Sequence, residues 1–173
     1  MRQMTRLFAV TICGVALSVS AGAQQPPPPP AGAAHHLDAK GKQVMGFDQQ
    51  KTTHHFLLYE DGGAIDVSVK DAANTADRDA IRSHLPHIAH LFGQGDFDAP
   101  MLVHDRKDVP GTKELAKLKD KVTYTYVETS AGGRVDIVTT DPQALAAVHA
   151  FLKFQIEDHQ TRDRTTPAKR PKR

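Results

Sequence analysis

Apolar and polar residues alternate with a period of two in short runs, and recur every three to four residues in two longer stretches. The first alternating pair is HHFLLYE, starting at His54, and AIDVSVKD, joined across Asp61-Gly62-Gly63. Ile65, Val67 and Val69 alternate there with Asp66, Ser68 and Lys70, the mark of a half-buried strand, and the glycine-bearing turn closes a hairpin. KVTYTYVE, a turn at Ser130-Ala131-Gly132-Gly133 and RVDIVTTD repeat the pattern, with Val135 and Ile137 flanking Asp136. The phrases GGAIDVSVKD and GGRVDIVTTD read as two copies of one ββα unit.

A helical period follows each hairpin. Ile81, Leu85, Ile88 and Phe92 form the first stripe, with Thr75 as the expected cap and Asp77 and Asp79 in the first turn, where the helix dipole favours acids. Pro86 has no N–H to donate and crowds the preceding turn, which predicts a kink or a restart over 82–86. In the second helix Asp141 caps and Pro142 takes the first position, where a missing donor costs nothing. Leu145, Val148, Leu152 and Ile156 make its core stripe, with Phe151 and Phe154 beside it, placed to pack on the first helix or a partner subunit. A short helix is expected from Thr112 to Leu118. The prediction is an α+β fold of duplicated ββα units. Strands near 54–60, 64–70, 122–128 and 134–140 form a four-stranded antiparallel sheet, with the main helices, 76–92 and 142–159, on one face.

The first residues bear on compartment. Arg2 and Arg6 precede an apolar run from Leu7 to Val19, and Ala21-Gly22-Ala23 has the small-x-small form that signal peptidase cleaves. The run is shorter than the ~20 residues of a spanning helix, so residues 1–23 read as a signal peptide and the mature chain as periplasmic or secreted, with no transmembrane segment. Residues 24–41, with prolines 26–30, read as a disordered linker, 42–161 as one domain, and 162–173 as a basic disordered tail. The only cysteine, Cys13, leaves with the signal, which excludes disulfides and thiolate chemistry from the mature chain. The tail carries Arg162, Arg164, Lys169, Arg170, Lys172 and Arg173 against the single acid Asp163. No basic face with interleaved aromatics precedes it, so nucleic acid is not an expected partner.

Histidine is the unusual component, ten residues in all. His35 and His36 fall in the linker; the rest are His54, His55, His84, His87, His90, His104, His149 and His159. The hairpin register puts His54 on the helix-covered face and His55 on the other. His84 and His87 are neighbours at i, i+3 on the boundary of the core, and His90 points to solvent. Imidazole is the commonest metal donor where cysteine is absent, so His54, His84 and His87, with His55 in reserve, are candidate copper or zinc ligands, and Met45 and Met101 are soft donors for copper. If these imidazoles crowd together, each resists protonation and the domain loses stability in acid. His149 and Lys153 flank the second stripe, and His159 near its C-terminus has the dipole to favour its protonated form.

No G-x-S-x-G elbow, S-x-x-K or Walker loop is present, so no catalytic residue is assigned. The phrases MGFDQQKTTHHFLL, IRSHLPHIAHLFGQGDFDAPMLVH, PGTKELAKLKDKVTYTY, GGRVDIVTT and ALAAVHAFLKFQIEDHQT resemble a family of small, uncharacterised exported bacterial proteins, over about residues 44–162. Sequences of this type carry in places the label aspartate carbamoyltransferase, but the Ser-Thr-Arg-Thr and His-Pro motifs of that enzyme are missing here. The resemblance therefore implies export and assigns no activity. Two functions remain open: a periplasmic metal-binding protein, and a non-enzymatic accessory module for another exported protein, its histidines structural.

Overall fold

Both hairpins form in the computed structural model, which describes residues 42–172; the signal peptide and linker read from residues 1–41 lie outside the described residues. β1 (Thr52–Tyr59) pairs antiparallel with β2 (Gly62–Val69), and β3 (Val122–Thr129) with β4 (Gly132–Thr139). The hairpins join through β2 and β4, also antiparallel, in the order β1-β2-β4-β3. Phe56 lies opposite Ile65, and Ile65 opposite Val135, so the apolar side chains of all three strands share one face.

After the first hairpin, four helices follow in chain order: α1 (Thr75–Gly93), α2 (Asp98–Val103), α3 (Thr112–Lys117) and α4 (Pro142–Asp158). Asn74, rather than Thr75, caps α1, its Oδ1 accepting from the Asp77 N–H at 3.2 Å. Asp141 caps α4 as the sequence suggests, accepting from the N–H groups of Gln143 and Ala144. Each long helix crosses over: α1 packs chiefly on β3 and β4, and α4 chiefly on β1 and β2. Each ββα unit thus covers mainly the hairpin of the other, so the two copies bury their apolar faces largely against one another.

Of the kink or restart expected over 82–86, the restart does not occur; α1 is continuous through Pro86. Ile81 and Leu85 before the proline and Ile88, Ala89 and Phe92 after it are all buried, and that shared anchorage outweighs one missing helical hydrogen bond. The stripe on α4 also differs. Phe151 is a core residue, edge-on to Phe92 at 5.9 Å and to Phe97 at 6.1 Å, while Leu145 is half-buried. The buried face includes Ala144, Ala147 and Gln155, because α4 packs against α3 as well as the sheet.

That contact depends on Gly111, the residue before α3, at φ 82°. A Cβ at this position would collide with the Ala147 carbonyl oxygen of α4, and the left-handed backbone disfavours any L side chain. Gly111→Ala is expected to lower the urea midpoint by a stability loss of about 2 kcal/mol or more, with an unchanged denaturant slope. An unaltered midpoint would show that α3 shifts freely.

Residues 162–172, read from composition as an unfolded tail, are instead laid along the sheet. Asp163 accepts from the Phe56 N–H at 2.9 Å, His55 Nδ1–H at 2.8 Å and the Thr161 hydroxyl at 2.7 Å. Ala168 forms a parallel bridge to Tyr59, donating to the Leu58 carbonyl and accepting from the Glu60 N–H. Arg170 then donates from Nε to both Asp61 oxygens, from Nη1 to Asp136, and from Nη2 to the Gly63 and Ile137 carbonyls. Its guanidinium stacks 4.4 Å from the Tyr59 ring. The cause is topological. β1 is an edge strand whose outward backbone groups need partners, and the tail supplies them. No described helix is long and apolar enough to cross a membrane.

Candidate functional site

Between the apolar face of the sheet and the helices lies a cavity of about 80 Å³. Its walls are largely aliphatic and aromatic, from Met45 and Phe56 through Ile65, Ile88 and Phe151, but His54, His84, His104, Gln155 and His159 also line it. An apolar concavity with a few convergent polar groups is the usual form of a small-molecule site.

Each imidazole arrives from a different element. His54 is on β1, alternating inward with Phe56 and Leu58, and its ring stacks on Phe47 at 5.8 Å and on His159 at 5.9 Å. His84 is on α1, one residue before the buried Leu85, and meets Phe47 edge-on at 5.9 Å. His104 ends α2, and His159 follows the last turn of α4; their rings meet edge-on at 5.0 Å.

The polar pole of the cavity is built on α4. Gln155 and Asp158, at i and i+3, lie on the same side of the helix and hold His104 between them. His104 Nδ1 lies 2.6 Å from Asp158 Oδ2 and Nε2 lies 2.9 Å from Gln155 Oε1. Both ring nitrogens are thereby engaged, and Asp158 and Gln155 fix the orientation of the ring. The Gln155 amide nitrogen is buried with no hydrogen-bond partner among the described residues.

Burial pushes His159 down to about 3, helped by the nearby His104 and His54, and pushes His84 down to about 4, helped by His87. Both are therefore neutral near pH 7. For His159 this overturns the expectation that the helix dipole favours the protonated ring: enclosure by apolar walls and other imidazoles outweighs the dipole. On the far side of His54 and His159 opens a polar cleft of about 280 Å³, bordered by Thr52, His55, Asp158 and Thr161. These two histidines thus form the wall between the apolar cavity and the surface.

Of the four residues expected to hold a metal, His54 and His84 line the cavity, while His55 and His87 are not part of its wall. Met45 lines it together with His54 and His84, but Phe47 contacts both rings. His55 faces the opposite side of the sheet, where it pairs with Asp163, and His87 is exposed one turn along α1. Met101 packs half-buried against the core and is not part of the cavity wall. Among the described residues no group of three or more His, Cys, Asp or Glu side chains is arranged to hold an ion. His90 is exposed, as its position on α1 predicts. His149 fastens α4 to the first hairpin turn, its Nε2 lying 2.9 Å from the Tyr59 carbonyl and 3.1 Å from that of Gly62.

Sequence reasoning missed His104, Gln155 and Asp158. Gln155 left a trace, since it falls three residues after Leu152 and four after Phe151, on the buried side of α4. His104 sits in no periodic pattern, and its pairing spans 54 residues of chain. Comparison with known proteins gives no matching family model, no matching curated sequence and no matching solved structure.

Proposed function

We propose that this chain is an exported binding protein that takes up a small, uncharged, largely apolar molecule, or the apolar end of a larger one, in the cavity between sheet and helices. The observation that carries this reading is the combination inside one cavity of apolar walls, neutral His84 and His159, and a buried amide donor without a partner among the described residues. A charged ligand would lose its hydration against these walls with little in return, whereas an apolar one gains by leaving water. The volume, about 80 Å³, is roughly half that of an engineered cavity known to admit benzene, which sets the scale of the group admitted. The signal-like N-terminus supports an exported setting for this binding.

The test is an NMR titration of the ¹⁵N-labelled chain with dissolved xenon. Shifts are expected to cluster on Val44, Ile65, Ile88 and Val103, and to be lost in Val103→Phe, which fills the cavity from α2. No localised shifts at saturating xenon would overturn the reading. So would stoichiometric copper or zinc binding that disappears in His54→Gln and His84→Gln, which would return the function to metal binding through His54, His84 and Met45.

A further inference from the structure

The polar pole of the cavity specifies one chemical feature of what it admits. His104 has no capacity left, because Nδ1 is engaged by Asp158 and Nε2 by Gln155 Oε1. Gln155 in turn has committed its oxygen. What remains is its amide nitrogen, two N–H donors on a side chain whose residue is 4 % exposed, with no acceptor among the described residues. A buried donor without a partner forfeits its hydration, commonly 1–3 kcal/mol in order of magnitude, unless a bound molecule supplies the missing acceptor.

Three features keep that donor in place. Gln155 lies in the middle of the buried face of α4, between Leu152 and Ile156, so its backbone is fixed. Its amide oxygen is tied to His104, which sets the plane of the amide and leaves the nitrogen on the other branch. His104 is itself held by Asp158 and contacts Phe154 edge-on at 5.0 Å. The donor is thus oriented before any ligand arrives, which is the condition for a hydrogen bond to discriminate rather than merely to form.

We propose that Gln155 Nε2 is the specificity-determining group of this cavity, and that the molecule it selects is uncharged and carries a carbonyl oxygen on a compact apolar skeleton. The inference rests on the binding function proposed above. A carbonyl is satisfied by this donor alone, whereas a hydroxyl brings a proton that needs an acceptor besides. A carboxylate would bring its charge out of water into apolar walls that offer it no counter-charge, close to the carboxyl group of Asp158.

Acetone and isobutene separate the alternatives, because they share a skeleton and differ only in an oxygen or a methylene at one end. A cavity with no donor for the ligand favours isobutene by about tenfold or more, since acetone must give up its hydration on entry. With Gln155 Nε2 donating, acetone is expected to bind at least as tightly as isobutene in ¹⁵N-edited titrations of the full chain. The side-chain NH₂ resonances of Gln155, assigned by their absence from Gln155→Met, are expected to shift on adding acetone and to stay in place on adding isobutene. Tighter binding of isobutene, or an unmoved Gln155 amide with acetone bound, overturns the inference and leaves the apolar cavity standing. Binding of neither probe overturns the cavity function and this inference with it. The comparison is made on the unaltered chain, so it does not depend on any variant folding.

Discussion

Lowering the pH from about 7.5 to about 5 is expected to reduce the melting temperature by on the order of 10 °C. His84 and His159 are the groups responsible. Both have folded-state values pushed below the ordinary 6.5, to about 4 and about 3, with burial as the leading cause. A depressed histidine contributes stability that is fully present above the unfolded value of ~6.5 and is lost as pH falls from there toward the folded value. At about pH 5 the unfolded chain protonates both rings and the folded chain holds them neutral. Together they then forfeit on the order of 3 kcal/mol, a figure reduced for the part of His84 that meets solvent. His159→Phe keeps an apolar ring against Phe56 and is expected to halve the pH slope approximately. The same slope in that variant, or a melting temperature that does not move with pH, would show that His159 protonates without opening the fold. Crowding of His84 by His87 acts in the direction the sequence suggested, but it ranks below burial, and the more strongly shifted ring is His159.

Truncation after Thr161 is the second large effect. The chain then loses the Asp163 contacts to Phe56, His55 and Thr161, the bridge at Ala168, and the five hydrogen bonds of Arg170. Hydrogen bonds to charged groups contribute about 1.5–3 kcal/mol apiece in favourable settings and less where exposed. A loss of roughly 3 kcal/mol is therefore expected, read as a lower urea midpoint. The truncation also bares the outer edge of β1, so self-association visible by size-exclusion chromatography should rise with concentration. Arg170→Lys is expected to reproduce much of the loss from this region, because a single ammonium cannot span Asp61, Asp136 and two carbonyls or stack on Tyr59 as a planar guanidinium does. If the truncated chain unfolds at the same urea concentration as the full one, the tail contributes nothing and the composition-based view of it was correct.

The secondary structure was legible because it depends on local chemistry. Alternation at Ile65, Val67 and Val69, turn glycines at 62–63 and 132–133, and the Asp141-Pro142 start of α4 are short-range signals, and each element appears within a few residues of its expected place. The turn indicated which residues of the two strands share a face, and so divided His54 from His55 as observed, although the exact partners differ by two residues from pairing across Asp61 and Gly62. The class of fold followed as well, since two hairpins and two amphipathic helices leave few ways to bury one apolar face.

What stayed hidden is what depends on contacts between distant parts of the chain. Pro86 obeyed its local rule in losing a donor, but the buried residues on either side of it decided that the helix continues. The tail carries the composition of disorder, and only the presence of an unpaired β1 edge, more than a hundred residues earlier in the chain, gives it a place to bind. The four histidines of the cavity come from β1, α1, the end of α2 and the end of α4, so no spacing in the sequence relates them. His159 shows the division most clearly. The sequence determined that it ends a helix, where a positive charge is favoured; the tertiary structure enclosed it with His54, His104 and Phe56, and desolvation exceeds what the end of a helix dipole can offset.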